Sequence, residues 1–311
     1  MSKKSLSGEV LVDTLQMLAI AEFNMAAAAR MSKVPYITFV KRVEAAKLKY
    51  PNGLPEELQP KMRWSIPPML NYDPNKEITI LAGGDLHTWY GPAPMMWEAF
   101  CRVAHLIKPD VIVLMGDMID GARISKYAGR YGSTAPKVSL EIETFQEYLT
   151  MLPKCKEVYW TVGNHDMRVD NYLAANAPEL DDYVGGLADR FPQIKFCLGV
   201  TIGETEFRHR FRGGIHTAFN NTREAGINMI TAHTHALQVT AHRNRRGTTY
   251  GVETGMLGPV NGPQFEYTEG APTRYQEGFA VLTMDAEGYM FPPELCEKVR
   301  GRPVFRGDYI F

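Results

Sequence analysis

The sequence is poor in cysteine, has no long apolar run and carries almost no net charge, and each scarcity narrows its reading. Its four cysteines, Cys101, Cys155, Cys197 and Cys296, stand far apart with no CxxC pair. That spacing excludes a dense disulfide scaffold and a thiolate zinc site, and the thiols are expected to be reduced and mostly buried. No stretch reaches the roughly 18 apolar residues of a spanning helix, and no apolar run follows the two lysines of MSKKSLSGEV. Neither a membrane partner nor a secretory leader is expected, and the compartment is expected to be cytoplasmic. There is also no GxSxG elbow and no thiol beside a partner motif, so a protein nucleophile is not indicated.

What is present reads as an ordinary globular chain, 45% apolar and 22% charged over 311 residues. The net charge of −1 hides an asymmetry. Residues 1–50 hold eight Lys and Arg against four Asp and Glu, whereas residues 51–311 hold 26 against 31. The N-terminal piece has the sign to meet a polyanion; the remainder has not.

Residues 9–23 and 24–31 carry apolar side chains at helical spacing, among them Val12, Leu15, Leu18 and the run Ala26 to Ala29, which predicts two helices. A break at Ser32, Lys33, Val34 and Pro35 follows. Pro35 stands at the first turn of a third predicted helix through Phe39, Val43 and Ala46. The segment NMAAAARMSKVPYITFVKRVEAAKLKY resembles a DNA-binding helix-turn-helix of homeodomain-like type. The resemblance implies a DNA partner, with Tyr36, Thr38, Lys41, Arg42 and Lys49 available to bases or phosphates. In the plainer reading the same residues are the solvent face of a helical cap.

Residues 51–77 contain six prolines, which favour extended chain and predict a linker or a wrapping arm. From Ile78 the pattern changes to short apolar strands, ITILA, VIVLM and VYWTV, alternating with helical stretches, the signature of a mostly parallel sheet with helices on its faces. The expected division is 1–50 helical, 51–77 connection, 78–295 catalytic domain and 296–311 C-terminal tail.

Each of the first three strands runs into a polar loop. Ile78 to Ala82 leads to Gly83, Gly84, Asp85, Leu86 and His87; Val111 to Met115 leads to Gly116, Asp117 and Asp120; Val158 to Val162 leads to Gly163, Asn164, His165 and Asp166. Ligands of open α/β sheets gather at the carboxyl ends of strands, so the three loops should face one crevice. A fourth cluster, Ala232, His233, Thr234 and His235, follows the strand-like run Asn228 to Thr231. Between them lie His209, at the end of a predicted strand, and His216, at the start of a predicted helix.

Taken in order, Asp85-Leu86-His87, Gly116-Asp117-x-x-Asp120, Gly163-Asn164-His165-Asp166 and His233-Thr234-His235 resemble the motif series of the calcineurin-like metallophosphoesterases. With the helix-turn-helix ahead of them, they resemble the phage and prophage members, which would place the protein in the cytoplasm of a bacterial host. The resemblance implies an α/β fold, a sheet sandwich of metallophosphoesterase type flanked by helices and preceded by a small all-α segment. It further implies that Asp85, His87 and His235 hold one metal and that Asp117 bridges to a second held by Asn164, His233 and an upstream histidine. For that histidine His209 is preferred and His216 is the rival. Two departures stand out: Ala232 where the family has glycine before the HxH, and Arg210 where glycine usually follows the upstream histidine.

The donor set explains itself chemically. Carboxylate, imidazole and amide ligands without sulfur suit two divalent ions, manganese first and Fe, Zn, Ni or Mg as alternatives, and a shared carboxylate holds such a pair roughly 3.5 to 4 Å apart. His165 is the candidate for protonating the leaving oxygen or stabilising phosphoryl charge. Asp120 and Asp166 are candidates for orienting an imidazole, with loop capping the alternative for both. Arg123 and Lys126 are candidate substrate contacts. The expected activity is phosphodiester hydrolysis, with nucleic acid as substrate. The alternatives are a phosphomonoesterase on nucleotides or phosphoproteins, and a DNA-binding or virion-associated protein with a structural metal site.

Overall fold

The N-terminal periodicity becomes three helices, α1 (Gly8–Ile20), α2 (Met25–Met31) and α3 (Tyr36–Lys49). Leu18, Ala28, Ala29, Phe39 and Val43 form their common core, and the alanines keep α2 slim where its neighbours pack. Pro35 is extended immediately before α3 (φ −54°, ψ 138°), where its missing N–H costs no helical hydrogen bond. On the outer side of α3, Tyr36, Thr38, Lys41 and Lys49 are exposed and Arg42 is half-buried.

The computed structural model describes residues 7–20, 25–51, 76–125, 134–177 and 185–311. Two units separate, Met1–Arg63 and Trp64–Phe311. The division falls inside the proline-rich stretch, most of which (52–75) lies outside the described residues, as do Lys126 and Arg130.

The second unit is built on two sheets. β1 (Ile78–Gly83), β2 (Val111–Leu114), β3 (Glu157–Thr161) and β4 (Lys195–Cys197) run parallel, the arrangement expected when helices such as α4 (Met95–Ile107) and α5 (Val138–Leu149) carry the chain back between strands. On the other side of β1 the pairing turns antiparallel through β10 (Gly278–Met284), β11 (Glu294–Val299), β12 (Arg302–Phe305) and β13 (Asp308–Tyr309). Residues 296–311, expected as a tail, are therefore sheet. The second sheet orders β5 (Gly199–Ile202), β6 (Thr205–Arg208), β7 (Asn228–Thr231), β9 (Gly247–Thr254) and β8 (Leu237–Asn244), with β6, β7 and β9 parallel. The charged run His242 to Gly247 is the tip of the β8–β9 hairpin.

Strand alternation sorts the core into two layers. Leu81, Ile112, Leu114, Trp160, Phe279 and Val281 pack against Trp97, Phe100 and Phe145 of the helices. Ile80, Ala82, Val111, Val113, Tyr159, Ala280 and Leu282 face Val200, Ile202, Phe207, Ile230 and Val252 of the other sheet. The central strands β1, β2 and β10 are buried on both faces, which is why they read as continuous apolar runs.

Candidate metal centre

The loops after β1 and β2 stay paired beyond the strands. The amide of Asp85 donates to the Gly116 carbonyl, that of His87 to Asp117 and that of Thr88 to Met118. This fixes Asp85, His87 and Asp117 side by side. The parallel β6 and β7 do the same from the second sheet, where the Ala232 amide donates to the carbonyl of His209. The backbone then turns sharply: Asp85, His87, Asp117, His233 and His235 all adopt left-handed conformations, with φ between 46° and 71°. Non-glycine residues adopt this region rarely, and clusters of them mark functional sites.

Two glycines are required by close approach. A Cβ on Gly163 would lie 2.1 Å from Asp117 Oδ1, and one on Gly116 would lie 2.4 Å from the Thr161 carbonyl and 2.7 Å from His209 Nδ1.

Three groups of ligating side chains result: Asp85, His87 and His235; Asp117, His209 and His233; and His87, Asp120 and His165. Asp85 Oδ1 lies 3.4 Å from His235 Nε2 and 3.8 Å from His87 Nε2. Asp117 Oδ2 stands between the first two groups, 3.2 Å from His209 Nε2 and 4.0 Å from His87 Nε2. Its other oxygen accepts the His165 amide at 2.7 Å, just as Asp85 Oδ2 accepts that of His233. The atoms left over are informative. Asp85 Oδ1, Asn164 Oδ1 and His209 Nε2 are buried and make no hydrogen bond. Buried polar atoms are rarely left so, and these three are ligand atoms of the kind a divalent cation takes.

The tautomers agree with that use. His209 donates from Nδ1 to the Met115 carbonyl at 2.8 Å, so in the neutral ring that a metal takes Nε2 carries the lone pair. Asp120 Oδ1 lies 3.0 Å from Nδ1 of His87 and 3.1 Å from Nδ1 of His165. Arg168 Nη2 donates to Nε2 of His165 at 3.0 Å, so the Nδ1 proton of a neutral His165 faces Asp120. One carboxylate thus orients two imidazoles.

Charge is distributed accordingly. Burial pushes Asp85, Asp117 and Asp120 up, but the surrounding histidines overrule it and hold all three below the usual carboxylate range. Burial pulls His87 down, yet its hydrogen bond to Asp120 and the nearby carboxylates of Asp85 and Asp117 push it up to about 10. The same contest, with Asp117 the main opposing charge, sets His209 at about 9. Burial and the charge of His209 push His233 down to about 4.

Two expectations change. His216 is exposed immediately before the helix Thr217–Ala225, outside all three groups, because the strand end faces the crevice and the following loop leads away from it. Asp166 orients no imidazole. Its buried carboxylate accepts the amides of Asp117, Met118, Ile119 and Gly163 and the indole N–H of Trp160, and it ties the second and third loops together. Arg123 is exposed in a short 3-10 turn.

Other residues went unnoticed in the sequence. Arg168 is one, although its place three residues after His165, at the start of the helix Met167–Asn176, is a readable signal. Glu253 is another: from β9 it accepts the hydroxyl of Thr234, the residue between His233 and His235.

Asp120→Asn should retain the fold and lower metal affinity or turnover by about 10- to 100-fold, the usual cost of losing a carboxylate behind a ligating imidazole. Metal titration by calorimetry alongside steady-state kinetics measures both; wild-type values in each would remove Asp120 from the site.

The sequence pattern of the family described as calcineurin-like phosphoesterase matches residues 78–237. The Gene 54 protein of Mycobacterium phage D29 is 29% identical over 224 residues, covering 63% of this chain and 84% of that protein. The Gene 54 protein of Mycobacterium phage L5 is 28% identical over 220 residues, with the same coverage. Among solved structures, a metallophosphoesterase from Sphaerobacter thermophilus matches with a TM-score of 0.38 and 17% identity over 68% of this chain and 86% of that one. The Pseudomonas putida nuclease MPE matches with a TM-score of 0.29 and 12% identity, covering 67% and 84%.

Proposed function

Because the chain belongs to the calcineurin-like phosphoesterase family, whose members are metal-dependent phosphoester hydrolases, we propose that it cleaves phosphodiester bonds, in nucleic acid, with two divalent metal ions. The observation that carries the two-metal reading is the position of Asp117, one carboxylate oxygen within 4.0 Å of imidazoles from both ligand groups. Asp85, His87 and His235 would hold one ion, and Asn164, His209 and His233 the other. When bound, the pair supplies Lewis-acid activation of water and of the phosphoryl oxygens.

The chain's own groups do the rest. Asp120 holds His87 with Nε2 facing inward. His165 and Arg168 stand at the rim, and both are partly exposed. Arg168 is placed to bind a phosphoryl oxygen, and doing so would release His165 Nε2 from its present donor. His165 could then take up a proton there and pass it to the leaving oxygen, with Asp120 stabilising the imidazolium. Nucleic acid is the favoured substrate because a basic helical unit with exposed Lys41 and Lys49 precedes the site in the chain.

The test is hydrolysis of bis-p-nitrophenyl phosphate and p-nitrophenyl phosphate with Mn²⁺. Diester turnover exceeding monoester turnover is the expected result. A preference for the monoester would overturn the diesterase reading, and no turnover of either would overturn the hydrolase.

Metal uptake should depend on pH. His87 and His209, ordinarily near 6.5, are raised to about 10 and about 9. Their contribution to the metal-free fold is therefore complete below 6.5 and is lost as pH rises to 9–10. Since a metal takes the neutral imidazole, it must displace those protons, and apparent affinity should climb about tenfold per pH unit for each one displaced. Chelator competition between pH 7 and 8.5 measures it; a flat profile would contradict the charge assignment.

A further inference from the structure

The segment between β9 and β10, residues 255–277, lies past the stretch that the family pattern matches, and it puts aromatic rings against the ligating histidines. Connections of this length within a compact domain are uncommon and are often functional. The segment contains a 3-10 helix, Pro263–Thr268, that buries Phe265 with its ring 5.1 Å from that of His87 and 5.3 Å from that of His235. Tyr275 stands edge-on to His235 at 4.4 Å and lies 5.5 Å from Phe265. Tyr267 continues the row 6.2 Å from Phe265.

Packing accounts for Phe265, which is only 3% exposed. It does not account for the two tyrosines: Tyr275 is half-buried and Tyr267 is 38% exposed. Their hydroxyls are 3.0 Å apart and bond to each other, which couples the two side chains. Alongside them, exposed Arg274 donates to the Gly214 carbonyl and ties this segment to the loop after His209. An aromatic row that begins on a metal-ligating histidine and ends at the surface has the form of a stacking platform, where bases bind through their π faces with little sequence preference.

We propose that Tyr275 and Tyr267 form a subsite that stacks the nucleobase next to the scissile phosphate, so that the substrate class is a nucleoside phosphodiester. This rests on the diesterase reading. The test compares two esters with the same leaving group, thymidine 5′-(p-nitrophenyl phosphate) and methyl p-nitrophenyl phosphate, in the Mn²⁺-loaded full chain. The wild type should favour the nucleoside ester in kcat/KM by at least about fivefold, the lower end of base–aromatic stacking. That ratio should collapse in Tyr267→Ala, at a surface position, and in Tyr275→Leu, which keeps bulk against His235 while removing the π face. Turnover of neither ester by the wild type would overturn the diesterase reading and the subsite with it. Turnover of both without preference, or a preference that survives in both variants, would overturn the subsite alone.

Discussion

Asp117→Asn is expected to reduce hydrolysis by well over 100-fold while the protein stays folded. Loss of a carboxylate behind a metal ligand already costs about 10- to 100-fold, and Asp117 is placed as a shared ligand, so its removal should exceed that range. Asparagine is the informative replacement. It keeps the side-chain shape and an oxygen to accept the His165 amide. Apart from glycine it is also among the residues that best tolerate a left-handed backbone, and Asp117 has φ 50°. A failure to fold is thus kept apart from a failure to bind metal. Metal content per chain should fall along with activity, and circular dichroism of the metal-free variant should show the fold retained. Wild-type turnover in the purified variant would rule out the shared carboxylate.

Removing two cations from α3 should separate DNA binding from chemistry. Lys41 and Lys49 are exposed there with Tyr36 and Thr38. If they neutralise phosphates, each contributes about 0.9 to the slope of log affinity against log salt on duplex DNA, so Lys41→Ala combined with Lys49→Ala should flatten it by about 1.8. Affinity for a duplex should drop at low salt, while hydrolysis of bis-p-nitrophenyl phosphate holds within about twofold, because every candidate ligand lies between Asp85 and His235. An unaltered slope would make the three helices a cap or an assembly element.

Much of the catalytic unit was legible because two periodicities and one rule suffice for it. Apolar runs leading into glycine mark β1, β2 and β3, and the rule that ligands gather at strand ends predicts Asp85, Asp117 and Asn164 at one crevice. The same ground favours His209 over His216, and the structure brings only His209 into the cluster. Asp166 was not legible. Whether a loop carboxylate faces an imidazole or a set of amides depends on where backbone N–H groups point, and motif spacing does not encode that. Arg168 hid for a similar reason, since a cation in a helix's first turn is common. The C-terminal strands are not legible because β11 to β13 carry charged and exposed residues instead of an apolar run, and β12 places Pro303 in the ladder, where proline usually argues against a strand.

The left-handed backbone at Asp85, His87, Asp117, His233 and His235 sets robustness against function. Conformations of this kind cost on the order of 1–3 kcal/mol each where the side chain is not glycine, and the surrounding sheets must over-determine them. Glycine would relieve the cost at any of the five positions, and at each it would delete the ligand. Selection for a more rigid or heat-resistant protein would therefore push these sites in the direction that silences them, so a stabilised descendant of this chain should accumulate its gains elsewhere, in the two core layers and on the surface.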